Sequence, residues 1–247
     1  MNTDGSTAES KFAYGRVTDI LRKRSEAEGI AVIPDIKCKS PAEGQMVSEA
    51  DAADLAAELV DAGAPVISVV TENRHYGGSI RLLERISQRT AVPVLRKDFI
   101  NCRDQLTESV DAGASAVLLI ASMLEQDTLT TLACEALKLG LEPLVEVHSL
   151  EDIKKVQHLD LLLIGINNRN ILELEMDGGT VATTEQLIRF LPADSLVISE
   201  SSIQCPEDVR RAASAGAGAV LVGTAILKAS DPAEMYRSLA DAIKRYQ

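Results

Sequence analysis

The sequence predicts an α/β fold, a (β/α)8 TIM barrel preceded by an extra N-terminal helix, and three observations predict it. Eight apolar, β-branched runs of strand length recur along the chain. Their bodies lack polar alternation, as in parallel strands covered on both faces. The segments between them carry helical periodicity. An open doubly wound sheet more often uses five or six strands, and no linker or composition shift divides the 247 residues. One domain is expected, with residues 1–29 as an extension and 30–247 as the barrel.

Taken in order, residues 8–28, "AESKFAYGRVTDILRKRSEAE", read as the extra helix, which either caps the barrel floor or reaches over its top. "IAVIPDIK" from Ile30 is the first strand, and Ala52, Leu55, Ala56, Leu59 and Val60 then place apolar side chains on one helical stripe. "PVISVVT" from Pro65 and "VPVLRKDF" from Val92 follow, then a helix over 103–113. "AVLLIAS" from Ala116, a helix over 124–139, "EPLVEVH" from Glu142 and a helix over 150–157 continue the alternation. "LLLIGINN" from Leu161, a helix over 183–191, "LVISESS" from Leu196, a helix over 206–215 and "AVLVGTA" from Ala219 complete it. "VDAGAPVISVV" from Val60, "VDAGASAVLLI" from Val110 and "ASAGAGAVLVG" from Ala213 echo one another as helix end, glycine, strand. Gly63, Gly113 and Gly216 suit left-handed helix C-caps.

Composition excludes several classes. A net charge of −12 argues against sequence-independent binding to nucleic acid or an anionic membrane, which needs clustered lysine and arginine. The longest apolar runs fall short of the roughly 20 residues of a membrane helix, and the N-terminus lacks the pattern of a secretory signal. A cytoplasmic location is therefore expected. Cys38, Cys102, Cys134 and Cys205 are scattered, with no C-x-x-C pair, so they read as reduced thiols and no metal is expected.

In a (β/α)8 barrel the C-terminal ends of the strands converge on one face, where the active site sits. Those ends carry Asp35 and Lys37, Thr71 and Glu72, Lys97 and Asp98, Ser122, Glu146, Asn167 and Arg169, Glu200 and Ser201, and Gly223 and Thr224. Taken singly, each is a solvated residue starting a loop, and Thr71, Glu72 and Asp98 are read so. Lysine and glutamate are seldom buried unpaired, and Lys37, Lys97, Glu146, Asn167 and Glu200 recur at one structural level, so together they form a candidate acid–base set. "SESS" and "LVGTA" offer small residues where backbone N–H groups approach an anion, at the loops that often hold phosphate in this fold. Lys39 and Ser40 are further donors. His75 and His148 are set aside as catalytic groups, His148 because "EVHSLED" reads as a strand followed by a Ser149 N-cap; His158 reads as structural.

"IPDIKCKSPAEG", "TENRHYGGS", "VLRKDFI", "AVLLIASML", "LVEVHSLEDI", "IGINNRN", "ISESSI" and "LVGTAIL" together resemble the indole-3-glycerol-phosphate synthase family of tryptophan biosynthesis, in its order and spacing and over the whole barrel. The resemblance implies a small phosphorylated substrate, 1-(2-carboxyphenylamino)-1-deoxyribulose 5-phosphate, ring closure with loss of carbon dioxide and water, and no cofactor. It implies Lys97 as general acid at the ketone, Lys37 as the aid to dehydration, and Glu146 as stabiliser of the cationic intermediate or proton carrier. Asn167 and Glu200 would orient the substrate, Arg169 would meet its carboxylate, and Asp35 would act as a base or orient a lysine. Lys39, Ser40, Ser201, Ser202, Gly223 and Thr224 would surround the phosphate, and Tyr76, Phe99 and Leu118 the aromatic ring.

Two positions depart from the family pattern: Asp35 stands where glutamate is usual, and Ser202 where glycine is usual. Two other readings therefore stay open here, a paralogous enzyme acting on a related aminodeoxyketose phosphate and a barrel that binds a phosphorylated ligand without turnover. A monomer or weak homo-oligomer is expected, with no nucleic-acid or membrane partner.

Overall fold

A computed structural model describes residues 16–174 and 178–243. Eight parallel strands, β1 (Ala31–Ile36), β2 (Ile67–Val70), β3 (Val94–Lys97), β4 (Ala116–Ile120), β5 (Glu142–Val147), β6 (Leu163–Asn167), β7 (Leu196–Glu200) and β8 (Ala219–Val222), close into a barrel in the order β1-β8-β7-β6-β5-β4-β3-β2. Each predicted apolar run contains one of them, because side chains on both faces are buried, as the unbroken hydrophobicity required.

The helices are α1 (Arg16–Glu28), α2 (Glu49–Asp61), α3 (Ile80–Arg89), α4 (Arg103–Asp111), α5 (Gln126–Lys138), α6 (Leu150–Val156), α7 (Ala182–Leu187), α8 (Pro206–Ala215), α9 (Thr224–Leu227) and α10 (Pro232–Ala240). Ser48, Ser79 and Ser149 accept backbone N–H bonds at the starts of α2, α3 and α6, satisfying donors that a helix end leaves without partners. Gly63, Gly113 and Gly216 all adopt positive φ, so the repeated helix–glycine–strand phrase is one turn used three times. α3, α9 and α10 lie outside the helices that periodicity predicts. In α3 the buried stripe is only Leu82, Leu83 and Ile86 within a charged decapeptide. The expected helix over 183–191 ends early at Leu187 and finishes as a 3-10 turn, Ile188–Phe190.

Of the expected helix over 8–28, residues 8–15 lie outside the described residues; the remainder caps the floor. Val17 and Leu21 of α1 join Ala31, Val66, Leu163 and Leu196, at the starts of the strands, in the cluster that fills the barrel. Glu142, the first residue of β5, accepts the backbone N–H groups of Val17 and Thr18. Other apolar layers pack the outer strand faces against the helices. Among the described residues, no helix is long and apolar enough to cross a membrane.

Candidate active site

Side chains alternate across a strand with a period of two, which decides what the strand ends present. Ala31 and Ile33 of β1 lie in the interior cluster, so Asp35 and, continuing the alternation, Lys37 follow them inward. By the same parity Leu95 leads to Lys97, Leu144 to Glu146 and Ile198 to Glu200. "RKD" thus splits: Lys97 turns into the barrel, while Arg96 turns out toward α4. Strand register sets these groups level, with Val70 opposite Lys97, Ile120 opposite Glu146 and Asn167 opposite Glu200.

All six candidate catalytic residues are buried, from Lys97 at 9% exposure to Asn167 and Glu200 at 0%. Lys97 Nζ lies 3.2 Å from Glu200 Oε2, and the Ser68 hydroxyl donates to Asp35 Oδ1 at 2.6 Å. A Cβ at Gly165 would stand 1.9 Å from Glu200 Oε1; the glycine therefore makes room for the carboxylate. A Cβ at Gly223 would come within 3.2 Å of Lys37 Cε and 3.4 Å of Asp35 Oδ2.

Asp35, Lys37 and Lys97 form a wall shared by two cavities. One, of about 320 Å³, is polar, with Arg169, Ser201, Ser202, Gly223, Thr224 and Lys228 among its lining. The other is smaller, about 30 Å³, and places Val70, Tyr76, Phe99, Leu118, Ile120 and Ile171 around Glu146. A charged, small-residue chamber and an apolar one thus open on the same two lysines, a division suited to a ligand with an anionic tail and a flat apolar head.

Comparison with known proteins assigns the barrel. The family model described as indole-3-glycerol phosphate synthase matches residues 6–239. The chain belongs to the indole-3-glycerol phosphate synthase family. A family protein of Kineococcus radiotolerans is 41% identical over 225 residues, covering 91% of this chain and 80% of that protein. One from Thermococcus kodakarensis is 38% identical, covering 91% and 98%. Among solved structures, 3-hexulose-6-phosphate synthase from Salmonella typhimurium superposes with a TM-score of 0.72 at 14% identity, covering 88% of this chain and 100% of that one. Tryptophan synthase subunit alpha from Legionella pneumophila gives 0.66 at 17%, covering 94% and 99%. These two show the fold alone.

Of the residues that resemblance to the indole-3-glycerol phosphate synthase family singled out, most line one cavity or the other. Asn167 and Glu200 line neither and lie fully buried. Glu200 reaches Lys97; Asn167 Oδ1 accepts the backbone N–H of Arg169 at 3.0 Å. Lys39 and Ser40 also line neither cavity. They pair with Gly44–Gln45 in a short antiparallel ladder, which leaves Lys39 exposed and Ser40 buried.

Three strand-end residues read as solvated loop starters are structural instead. Thr71 Oγ1 donates to Asp98 Oδ2 at 2.6 Å and accepts from Arg96 Nε at 3.1 Å, and Arg96 Nη2 meets Asp98 Oδ2 at 3.0 Å. Arg96 continues to the Gln105 carbonyl and the Ser109 hydroxyl of α4. A buried guanidinium needs this full set of partners, and the set clamps the backbone on both sides of Lys97. Glu72 accepts the N–H groups of Arg74, His75 and Tyr76, shaping the loop that carries Tyr76. His75 faces Glu72 and Phe99, His148 Nδ1 meets the Asn167 carbonyl at 2.8 Å, and His158 Nε2 meets Thr130 Oγ1 at 3.1 Å.

Asn168, Glu43 and Lys228 also stand at the site, though no sequence pattern singles them out. Asn168 donates to Ser199 Oγ, Glu200 O and Ser201 O and accepts from Thr184, so it ties the ends of β6 and β7 to α7. Its only signal was its place inside "GINNRN". Glu43 and Lys228 line the polar cavity and pair at 2.5 Å. The hydrogen bond from Lys228 holds the Glu43 carboxyl below its ordinary range. No local pattern links residues so distant in sequence.

Proposed function

We propose that this barrel closes 1-(2-carboxyphenylamino)-1-deoxyribulose 5-phosphate to indole-3-glycerol phosphate, a carboxy-lyase reaction. The observation that carries the reading is the pair of lysines, Lys37 and Lys97, on the wall between the polar and apolar cavities. The phosphate occupies the polar chamber at Ser201, Gly223, Thr224 and the backbone N–H of Ser202, and the ring enters the apolar one between Phe99, Leu118 and Tyr76.

Lys97 donates a proton to the ketone oxygen as the ring carbon bearing the carboxylate attacks the ketone carbon, forming the C–C bond. Positive charge develops toward the ring nitrogen, where the Glu146 carboxylate, held in an apolar surround, stabilises it by preorganised electrostatics. Breaking the ring–carboxylate bond releases carbon dioxide and returns its electron pair to the ring. The new hydroxyl then leaves as water with a proton supplied by Lys37, and loss of a proton from the carbon between the nitrogen and the carbon that bore the hydroxyl completes the indole. Arg169 binds the carboxylate before it departs, and Asp35, anchored by Ser68, orients Lys37. Glu200 and Asn167 hold the shape of the site, Glu200 through its ion pair to Lys97.

A single-domain, cytoplasmic enzyme, monomeric or weakly homo-oligomeric, fits this reading. Incubation of the protein with the substrate while following indole fluorescence tests it; no fluorescence increase at micromolar enzyme rejects it.

A further inference from the structure

We propose that Ser202 is a positioning and specificity residue: its hydroxyl holds the Arg169 guanidinium over the polar cavity and so selects ligands that carry a carboxylate as well as a phosphate. The inference rests on the functional reading above and deepens it.

Ser201 and Ser202 have φ of 62° and 59°, two successive non-glycine residues in the left-handed region. Side-chain-bearing residues enter that region at a cost that glycine avoids, and such a conformation persists only where its surroundings hold it. Asn168 supplies that hold. Its Nδ2 donates to Glu200 O at 2.9 Å and to Ser201 O at 3.1 Å, fixing the carbonyls that lead the chain into Ser202.

Glycine would accept this backbone freely, so the side chain at 202 is best explained by what its hydroxyl touches. Ser202 Oγ accepts a hydrogen bond from Arg169 Nε at 3.2 Å, while the Arg169 backbone N–H is fixed by Asn167 Oδ1 at 3.0 Å. Main chain and guanidinium of Arg169 are thus both tied to the rim. A guanidinium is a planar fork, so anchoring Nε sets the plane in which its other N–H groups meet an anion. Arg169 and Ser202 line the same cavity as Lys37 and Lys97. A preorganised fork recognises a carboxylate in two-point geometry without first losing side-chain freedom.

The experiment compares the parent protein with Ser202→Ala, Ser202→Gly, Arg169→Gln and the Ser202→Ala/Arg169→Gln double variant. Ser202→Ala removes the hydroxyl and keeps the backbone cost; Ser202→Gly removes both, so it guards against a folding defect. Both single serine variants should raise KM for the carboxyphenylamino-deoxyribulose phosphate roughly ten-fold, the scale of one hydrogen bond to a charged group. Their kcat should fall less than about three-fold, and competitive inhibition by inorganic phosphate should not change. In the Arg169→Gln background, Ser202→Ala should add less than about two-fold, because coupled residues are not additive.

A KM for Ser202→Ala within about two-fold of the parent overturns the proposal. So does the same ten-fold loss in the absence of Arg169, which would place the hydroxyl on the substrate instead. Binding of 2-aminobenzoate in the presence of phosphate, read by its fluorescence, reports the same coupling without turnover. A parent protein that shows this coupling but forms no indole would reject the functional reading and leave the Ser202 assignment standing.

Discussion

Replacing Lys97 with methionine should damage both the chemistry and the fold, and the two losses are separable. Lys97 Nζ lies 3.2 Å from Glu200 Oε2, and Glu200 is fully buried. At an effective dielectric of ~20, unit charges at that separation attract by about 5 kcal/mol. Removing one partner of a buried pair costs roughly 3–5 kcal/mol, because the other charge is left desolvated. A change of that size in a chain this long lowers Tm by about 6–20 °C. A Lys97→Met/Glu200→Gln double variant removes the orphaned charge and should recover most of the loss. Turnover behaves differently. The proposed proton donor is absent from both variants, so kcat should fall by about 10²–10⁴ in each. Calorimetric melting and indole fluorescence measure the two quantities. A double variant no more stable than Lys97→Met, or a kcat within about ten-fold of the parent in either variant, would refute these roles for Lys97.

Three more outcomes follow from the same geometry. Glu146→Gln keeps shape and volume in the apolar chamber but removes the charge, so kcat should drop by about 10²–10³ in the indole assay with little change in melting temperature. Gly165→Ala drives a methyl group to within 1.9 Å of the present position of Glu200 Oε1; displacement of that carboxylate should cost about 1–3 kcal/mol in urea unfolding and lower kcat with it. The Glu43 carboxyl, held below its ordinary range by the hydrogen bond from Lys228, stabilises the link between the first and last loops above its unfolded-state pKa. That contribution is lost as pH falls through the folded-state value. A carboxyl titration by NMR should show the Glu43 midpoint rising in Lys228→Gln, and an unchanged midpoint would deny the link.

Much of the scaffold was legible because strand burial and helix stripes are local properties. The eight unbroken apolar runs located β1–β8, and the three helix–glycine–strand phrases located the turns that join them. α3 was passed over because its buried stripe is short and surrounded by charge, and tertiary packing on α2 and β3 makes up for what its own pattern lacks. The strand-end residues were legible as candidates because a closed parallel barrel sends every strand's C-terminal end to one rim. Their division into chemistry and support was not. Lys97 and Asp98 are neighbours in sequence, yet one enters the barrel and meets Glu200 while the other joins Thr71 and Arg96. Lys39 and Ser40 look like phosphate donors in sequence; the structure holds them in a two-residue ladder, and they line neither cavity.

By itself the sequence determined the class of fold, the family and the roster of residues at the rim, since each follows from patterns read within one segment or matched in order along the chain. Only the tertiary structure decided which carboxylate faces which lysine, that Gly165 makes room for Glu200, that Asn168 holds the left-handed serines, and that Ser202 reaches Arg169. The physical reason is that contacts between side chains on different strands depend on barrel closure and strand register, and a slip of one residue turns every side chain to the opposite face.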